Sequence, residues 1–192
     1  MPALILASSS CYRKALLQRL HLTFQSASPD IDETPLNGET PEQLTQRLAL
    51  QKAQSLHQAF PDHLIIGSDQ VVLLNGQPVS KPGSHAEATR QLRASSGQTL
   101  TFSTALCLLN SASGKHQLSV EPYTVTFREL DDAQIERYLT REKPYDCAGS
   151  FKSEGFGISL IQRMQGDDPN SLIGLPLIRL CDMLANEGIH LP

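Results

Sequence analysis

A hydroxyl-rich turn followed by two cations opens the chain: Ser8-Ser9-Ser10-Cys11-Tyr12-Arg13-Lys14. A helix starting there leaves backbone N–H groups unpaired in its first turn, and Arg13 and Lys14 add charge of the same sign. The natural occupant of such a spot is an anion, phosphate above all. An ordinary capped helix with solvated charges is the plainer alternative. Asp69 follows the apolar run Leu64-Ile65-Ile66-Gly67, Lys81 sits on a proline-stiffened Lys81-Pro82-Gly83, and Asp30, Asp32 and Glu33 cluster in a loop. Cations beside carboxylates suit a polyphosphate held with Mg²⁺. Carboxylates bind the hard metal, Arg and Lys neutralise phosphate oxygens, and a remaining carboxylate takes a proton from water attacking phosphorus. Taken singly, Asp69 also reads as a turn former, Lys81 as a solvated charge, and Lys52 as an aliphatic stem covering core. Their shared placement favours a site.

The elements that must position these residues are legible from pattern. Leu4–Ala7 reads as a buried strand, and Ala15, Leu16, Leu17 and Leu20 have helical spacing behind the serine turn. A strand is expected over Leu22–Ala27 and a loop over Ser28–Gly38. Thr40-Pro41-Glu42-Gln43 starts a helix reaching about Ala59, with Leu44, Leu48, Lys52 and Leu56 along one stripe. The next strand, Leu64–Gly67, is expected to end at Ser68-Asp69-Gln70, which puts Asp69 just beyond a strand's C-terminal end, where α/β folds carry chemistry. Val71–Leu74 then continues extended to an Asn75-Gly76 turn. A capped helix over Ser84–Ser95, strands over Thr99–Leu109 and Gln117–Phe127, and a helix over Asp131–Glu142 follow. The glycine-dotted stretch Cys147–Gly157 leads to a strand near Ile158–Gln162, and a last helix stops at Gly188. The fold expected is α/β, a layered α/β/α arrangement with a mixed central sheet and a cleft between two lobes. If the first and third strands are parallel neighbours, Arg13 and Asp69 open into one crevice.

Composition sets outer bounds. A chain of 192 residues suits a single domain spanning 1–192. A net charge of -4 argues against a nucleic-acid surface built on general basicity. No apolar run reaches the length of a membrane span, so no membrane partner is expected. Met1-Pro2 leads straight toward a strand without the basic and apolar regions of a secretory leader. Cys11, Cys107, Cys147 and Cys181 lie far apart with no CxxC pair; Cys107 and Cys181 read as core thiols. A reduced, cytoplasmic protein is expected.

Over essentially its whole length the sequence resembles the Maf family of nucleotide pyrophosphatases. The matching pieces are Leu4–Lys14, Asp32-Glu33-Thr34, Gln51-Lys52-Ala53, Ser68-Asp69-Gln70, Lys81-Pro82, Asp168-Pro169-Asn170 and Gly174-Leu175-Pro176. The wording Gly149-Ser150-Phe151-Lys152-Ser153-Glu154-Gly155 resembles the YceF-type subgroup, which hydrolyses 7-methyl-GTP. The resemblance implies cleavage of a nucleoside triphosphate between its α and β phosphates. It also implies Asp69 as proton acceptor and a divalent cation (Mg²⁺, Mn²⁺ or Co²⁺) held by Glu33 and Asp69. Ser8, Arg13, Lys52 and Lys81 are implied to bind substrate, with Tyr12, Gln70 and Glu154 setting base preference. Cys11 stands where the family usually has proline, and Gln51 where glutamate is frequent. Tyr12 is suited to stack on a cationic methylated guanine, and Glu154 to accept from its N1 and amino groups. UTP, dTTP or another modified nucleotide as substrate, a nucleotide sensor without useful catalysis, and a homodimer all stay open as alternatives.

Overall fold

The computed structural model of the chain describes residues 3–192. These form one seven-stranded sheet in the order β2-β1-β3-β5-β6-β7, with β4 pairing β3. The strands are β1 (Ala3–Ala7), β2 (Phe24–Ala27), β3 (His63–Leu74), β4 (Gln77–Pro78), β5 (Thr99–Asn110), β6 (His116–Phe127) and β7 (Ile161–Gln165). The helices are α1 (Cys11–Gln18), α2 (Pro41–Ser55), α3 (His85–Ser95), α4 (Asp132–Glu142), α5 (Pro169–Ile173) and α6 (Leu177–Asn186). β1 is parallel to both β2 and β3, whereas β3–β4 and β6–β7 are antiparallel, so the sheet is mixed as expected. Among the described residues, no helix is long and apolar enough to cross a membrane.

The chain divides into two compact units. The first comprises Met1–Gln70, Ser103–Glu121 and Asp168–Pro192. Its strand residues alternate between two cores, as the period of two in an extended chain requires. Leu4, Leu6, Leu64 and Ile66 pack with Leu16 and Leu17 of α1 and with Leu180 and Leu184 of α6. Ile5, Ala7 and Ile65 pack with Ala49 and Ala53 of α2. Helices therefore cover both faces of the sheet. Local capping sets their starts: Ser10 accepts from Arg13 N, and Thr40 with Gln43 forms a reciprocal capping box.

The second unit comprises Val71–Phe102 and Pro122–Asp167. Asn75 and Gly76, both at positive φ (51° and 76°), make the tight turn joining β3 to β4. Arg93 of α3 donates to Asp132 of α4 at 2.7 Å. Phe151 packs against Phe127 at a ring-centroid distance of 5.4 Å.

Four expectations need correction. β3 does not end at Ser68 but runs through Asp69 to Leu74, because Val71–Leu74 extends the strand into the β4 hairpin. α2 ends at Ser55 instead of near Ala59, and the residues to Phe60 form turns. Residues 156–160 form a short 3₁₀ turn, so β7 begins at Ile161. Cys181, expected in the core, is half-buried; Cys107 is fully buried, and burial pushes its thiol up to about 12.

α2 lies on β3 without a side chain between them at one point. A Cβ on Gly67 would stand 2.1 Å from the Ala49 carbonyl oxygen and 3.0 Å from Ala53 N. Replacing Gly67 by Ala is expected to cost stability at the upper end of about 1–3 kcal/mol. Urea unfolding checks this, and an unchanged midpoint would show that the helix shifts away freely.

Candidate active site

Four of the sequence-predicted residues converge in the first unit. Lys52, on the buried face of α2 and only 7% exposed, directs its ammonium at two carboxylates. Its Nζ lies 2.7 Å from Asp69 Oδ1 and 2.9 Å from Glu33 Oε1. The head group is thus engaged by two carboxylates and is not the solvated tip of a core-covering stem. Arg13, in the first turn of α1, donates from Nε to the Gly174 carbonyl at 2.8 Å. Its charge acts on both Asp69 and Glu33, opposing the downward pull of burial on its own pKa. The parallel pairing of β1 with β3 sets the end of β1, from which Arg13 follows, beside the stretch of β3 that leads to Asp69.

Asp69 is held in tension. Burial raises its carboxyl above the ordinary value of 3.8, while Lys52 and then Arg13 pull it back and Glu33 adds a further upward push. Glu33 itself is more than half exposed, and its loop is tied down by an arginine fork. Arg47 Nε and Nη2 lie 2.6 and 2.8 Å from the two Glu39 oxygens, and Nη2 also donates to the Thr34 carbonyl at 3.0 Å. That fork holds the Glu39 carboxyl down at about 2. Arg47 Nη1 additionally donates to Gln51 Oε1 at 3.0 Å, so the residue replacing the family's frequent glutamate serves the same tether.

The remaining first-unit residues surround this centre without all pointing into it. Ser8 is buried and its Oγ accepts from Ser10 N at 3.1 Å, bracing the turn that precedes α1. Tyr12 lies half-buried in the first turn of α1. Gln70 turns its amide away from Asp69, donating to Thr104 Oγ1 and the Ser171 carbonyl, each at 2.8 Å. Ser68, for which the sequence suggested no role, donates to the Gly174 carbonyl at 2.9 Å. Gly174 has φ +117°, a conformation that strains any side chain, and a Cβ there would lie in contact with Arg13 Nε at 3.4 Å. The Gly174-Leu175-Pro176 motif was the one sequence signal for this seat.

Lys81 and Glu154 belong to the second unit, and both are exposed. The Lys81 loop is fixed by Gly83 N donating to the Tyr145 carbonyl at 3.0 Å and by buried Gln91 donating to the Ser80 carbonyl at 3.1 Å. Gln91 also accepts from Ser150 Oγ at 2.7 Å. Lys152 pairs with Glu142 at 3.7 Å within that unit.

The donor set fits a small hard cation. Asp69 and Glu33 supply carboxylate oxygens, and Mg²⁺-like ions need only one or two such groups when phosphate and water complete the shell. Among the described residues, no group of three or more His, Cys, Asp or Glu side chains comes together.

Comparison with known proteins then decides the lineage. A profile of the family described as Maf-like protein matches residues 3–187. The chain belongs to this Maf-like family. A 7-methyl-GTP pyrophosphatase of Pseudomonas savastanoi pv. phaseolicola is 58% identical over 192 residues, the full length of both chains. Proteins bearing the same name from Pseudomonas syringae pv. tomato and Pseudomonas aeruginosa are 58% and 55% identical, again over 192 residues and 100% of each chain. The Maf-family resemblance noted in the sequence is thereby shown for this chain.

The opposing influences on Asp69 are separable. Carbon-13 NMR titration should place the Asp69 carboxyl above 3.8, and Lys52→Met should move it higher still, because the lysine is the largest influence lowering it. A value that falls or stays fixed in the variant would contradict this assignment.

Proposed function

We propose that the protein is a nucleoside triphosphate pyrophosphatase acting on 7-methyl-GTP and yielding 7-methyl-GMP and diphosphate. The observation that carries the reaction is the partly buried Asp69 carboxylate, bonded to Lys52 and under the charge of Arg13. A carboxylate whose pKa is raised by burial is a better proton acceptor than a solvated one, and Lys52 and Arg13 oppose that rise by favouring its ionised form. The full-length relatives named 7-methyl-GTP pyrophosphatase support the substrate.

In the proposed reaction a water molecule attacks the α-phosphorus and gives its proton to Asp69. The bond from that phosphorus to the bridging oxygen breaks, and diphosphate leaves with the electron pair. Arg13 and Lys52 neutralise charge that grows on the phosphate oxygens, the larger part of catalysis in phosphoryl transfer. Ser8 shapes the turn that presents backbone N–H groups at the start of α1. A divalent cation, such as Mg²⁺, Mn²⁺ or Co²⁺, would be held by Asp69 and Glu33 and would supply further charge neutralisation.

The other assignments rest on the family motifs. Lys81 is assigned to substrate phosphate, and Tyr12, Gln70 and Glu154 to base preference. A Tyr12 ring stacked on the cationic 7-methylguanine would gain about 0.5–2 kcal/mol, and the Glu154 charge favours the same cationic base. The protein is assigned to the cytoplasm, where nucleotides are its substrates.

A diphosphate-release assay over 7-methyl-GTP, GTP, UTP and dTTP tests the reading. Catalytic efficiency should be highest for 7-methyl-GTP, should vanish on chelation and should return with added Mg²⁺, Mn²⁺ or Co²⁺. Asp69→Asn should fold normally and lose about 10²–10⁴-fold in turnover. Indifference to the N7 methyl group would overturn the substrate, and a fully active Asp69→Asn enzyme would overturn the mechanism. Tight nucleotide binding without diphosphate release would indicate a sensor instead.

A further inference from the structure

The Asp168-Pro169-Asn170 motif takes no part in the reaction just described, yet it holds a buried carboxylate. Asp168 is 4% exposed, and its two oxygens accept three hydrogen bonds. Oδ1 takes Asn170 N at 2.8 Å and Asn170 Nδ2 at 2.7 Å, while Oδ2 takes Ile178 N at 2.8 Å. One carboxylate thus ties the start of α5 to the first turn of α6, where unpaired N–H groups and the helix dipole both favour negative charge. The Asp168 main-chain carbonyl adds bonds from Ser171 Oγ at 2.6 Å and Ser171 N at 3.0 Å. Between these two anchor points the chain has little freedom.

The segment so fixed presents its carbonyls to the candidate site. Gly174 O receives Arg13 Nε and Ser68 Oγ, and Ser171 O and Leu172 O receive the Gln70 amide. Gly174 N donates in turn to the Asn170 carbonyl at 3.1 Å, closing the path from Asp168 to the arginine seat. A guanidinium is a rigid fork, so the direction of one N–H···O bond orients the whole group. From these contacts we infer that Asp168 is a positioning residue: it fixes the Gly174 carbonyl, and through it the orientation of Arg13 toward substrate phosphate. The inference rests on the reading of Arg13 as a phosphate-binding residue.

Asp168→Asn is the informative change. An amide can keep the bonds from Asn170 with its oxygen, but then turns an N–H toward Ile178 N, so that two donors face each other. The variant should lose about tenfold or more in kcat/KM for 7-methyl-GTP. The decisive measurement is a double-mutant cycle with Arg13→Ala. In the Arg13→Ala background, Asp168→Asn should cost about threefold or less, because the group it orients is gone. A purely structural role would multiply the two losses, and that outcome overturns the inference. If Asp168→Asn does not fold, Gly174→Ala takes its place in the same cycle with the same expectation, since a side chain is strained at its φ of +117° and the carbonyl that seats Arg13 would shift. Arg13→Ala retaining full activity would instead overturn the phosphate-binding reading, so the two failures are distinguishable.

Discussion

The candidate site depends on the backbone contact between β3 and α2 at Gly67. No side chain separates strand from helix there, and the helix residues on the contact, Ala49 and Ala53, are both fully buried. Residues four apart share a helix face, so these two alanines define the surface that lies flat on the sheet. Lys52 is one residue before Ala53, and Asp69 is two residues after Gly67. Their 2.7 Å separation follows from the closeness of the backbones at that point. With any larger residue at position 67, the helix would stand further off and the long lysine would have to reach across a gap.

That closeness creates an electrostatic problem which the site resolves locally. An ammonium taken out of water costs several kcal/mol unless it is matched, and a buried carboxylate is no easier to keep charged. Lys52 and Asp69 answer each other, but a single pair leaves no charge to spare for the phosphate that the proposed reaction brings in. Glu33 adds a second negative partner to Lys52, and Arg13 adds a second positive influence on Asp69. Each charge therefore keeps a partner when a substrate anion or a metal cation competes for the other. A cluster of alternating signs can accept either kind of ligand without leaving a buried charge alone.

Much of this was legible in the sequence because it is set by short-range physics. The alternation of Leu4 and Leu6 against Ile5 and Ala7 announces a strand buried on both faces, and the caps at Ser10, Thr40 and Asp131 act within three residues. The polar triplet Ser68-Asp69-Gln70 misled for the opposite reason. Three polar residues after an apolar run look like the end of a strand, and only distant partners allow them to continue one. Ser68 is satisfied by Gly174, 106 residues away, and Gln70 by Ser171, 101 residues away. α5, at five residues, is too short to show helical periodicity, so the element that supplies those partners was not visible either. Glu33 was legible as an acid in a loop. Its placement on Lys52 depends on the Arg47 fork to Glu39, whose two members belong to different elements.

The strand continuation also explains how Asp69, the proposed proton acceptor, is held. Successive residues of a strand face opposite sides, so Ser68 and Gln70 share one side and Asp69 takes the other. The first two bond to carbonyls of the segment around α5, and the third meets Lys52 of α2. Asp69 is thus gripped at its own carboxylate and steadied by both neighbours along the backbone. A loop residue at the same place would need its position fixed by contacts of its own, whereas here the strand and its two anchored neighbours share that work. The polar triplet is the consequence: the strand gives up three apolar positions, and its outer two become hydrogen-bonded anchors for the one that faces the lysine.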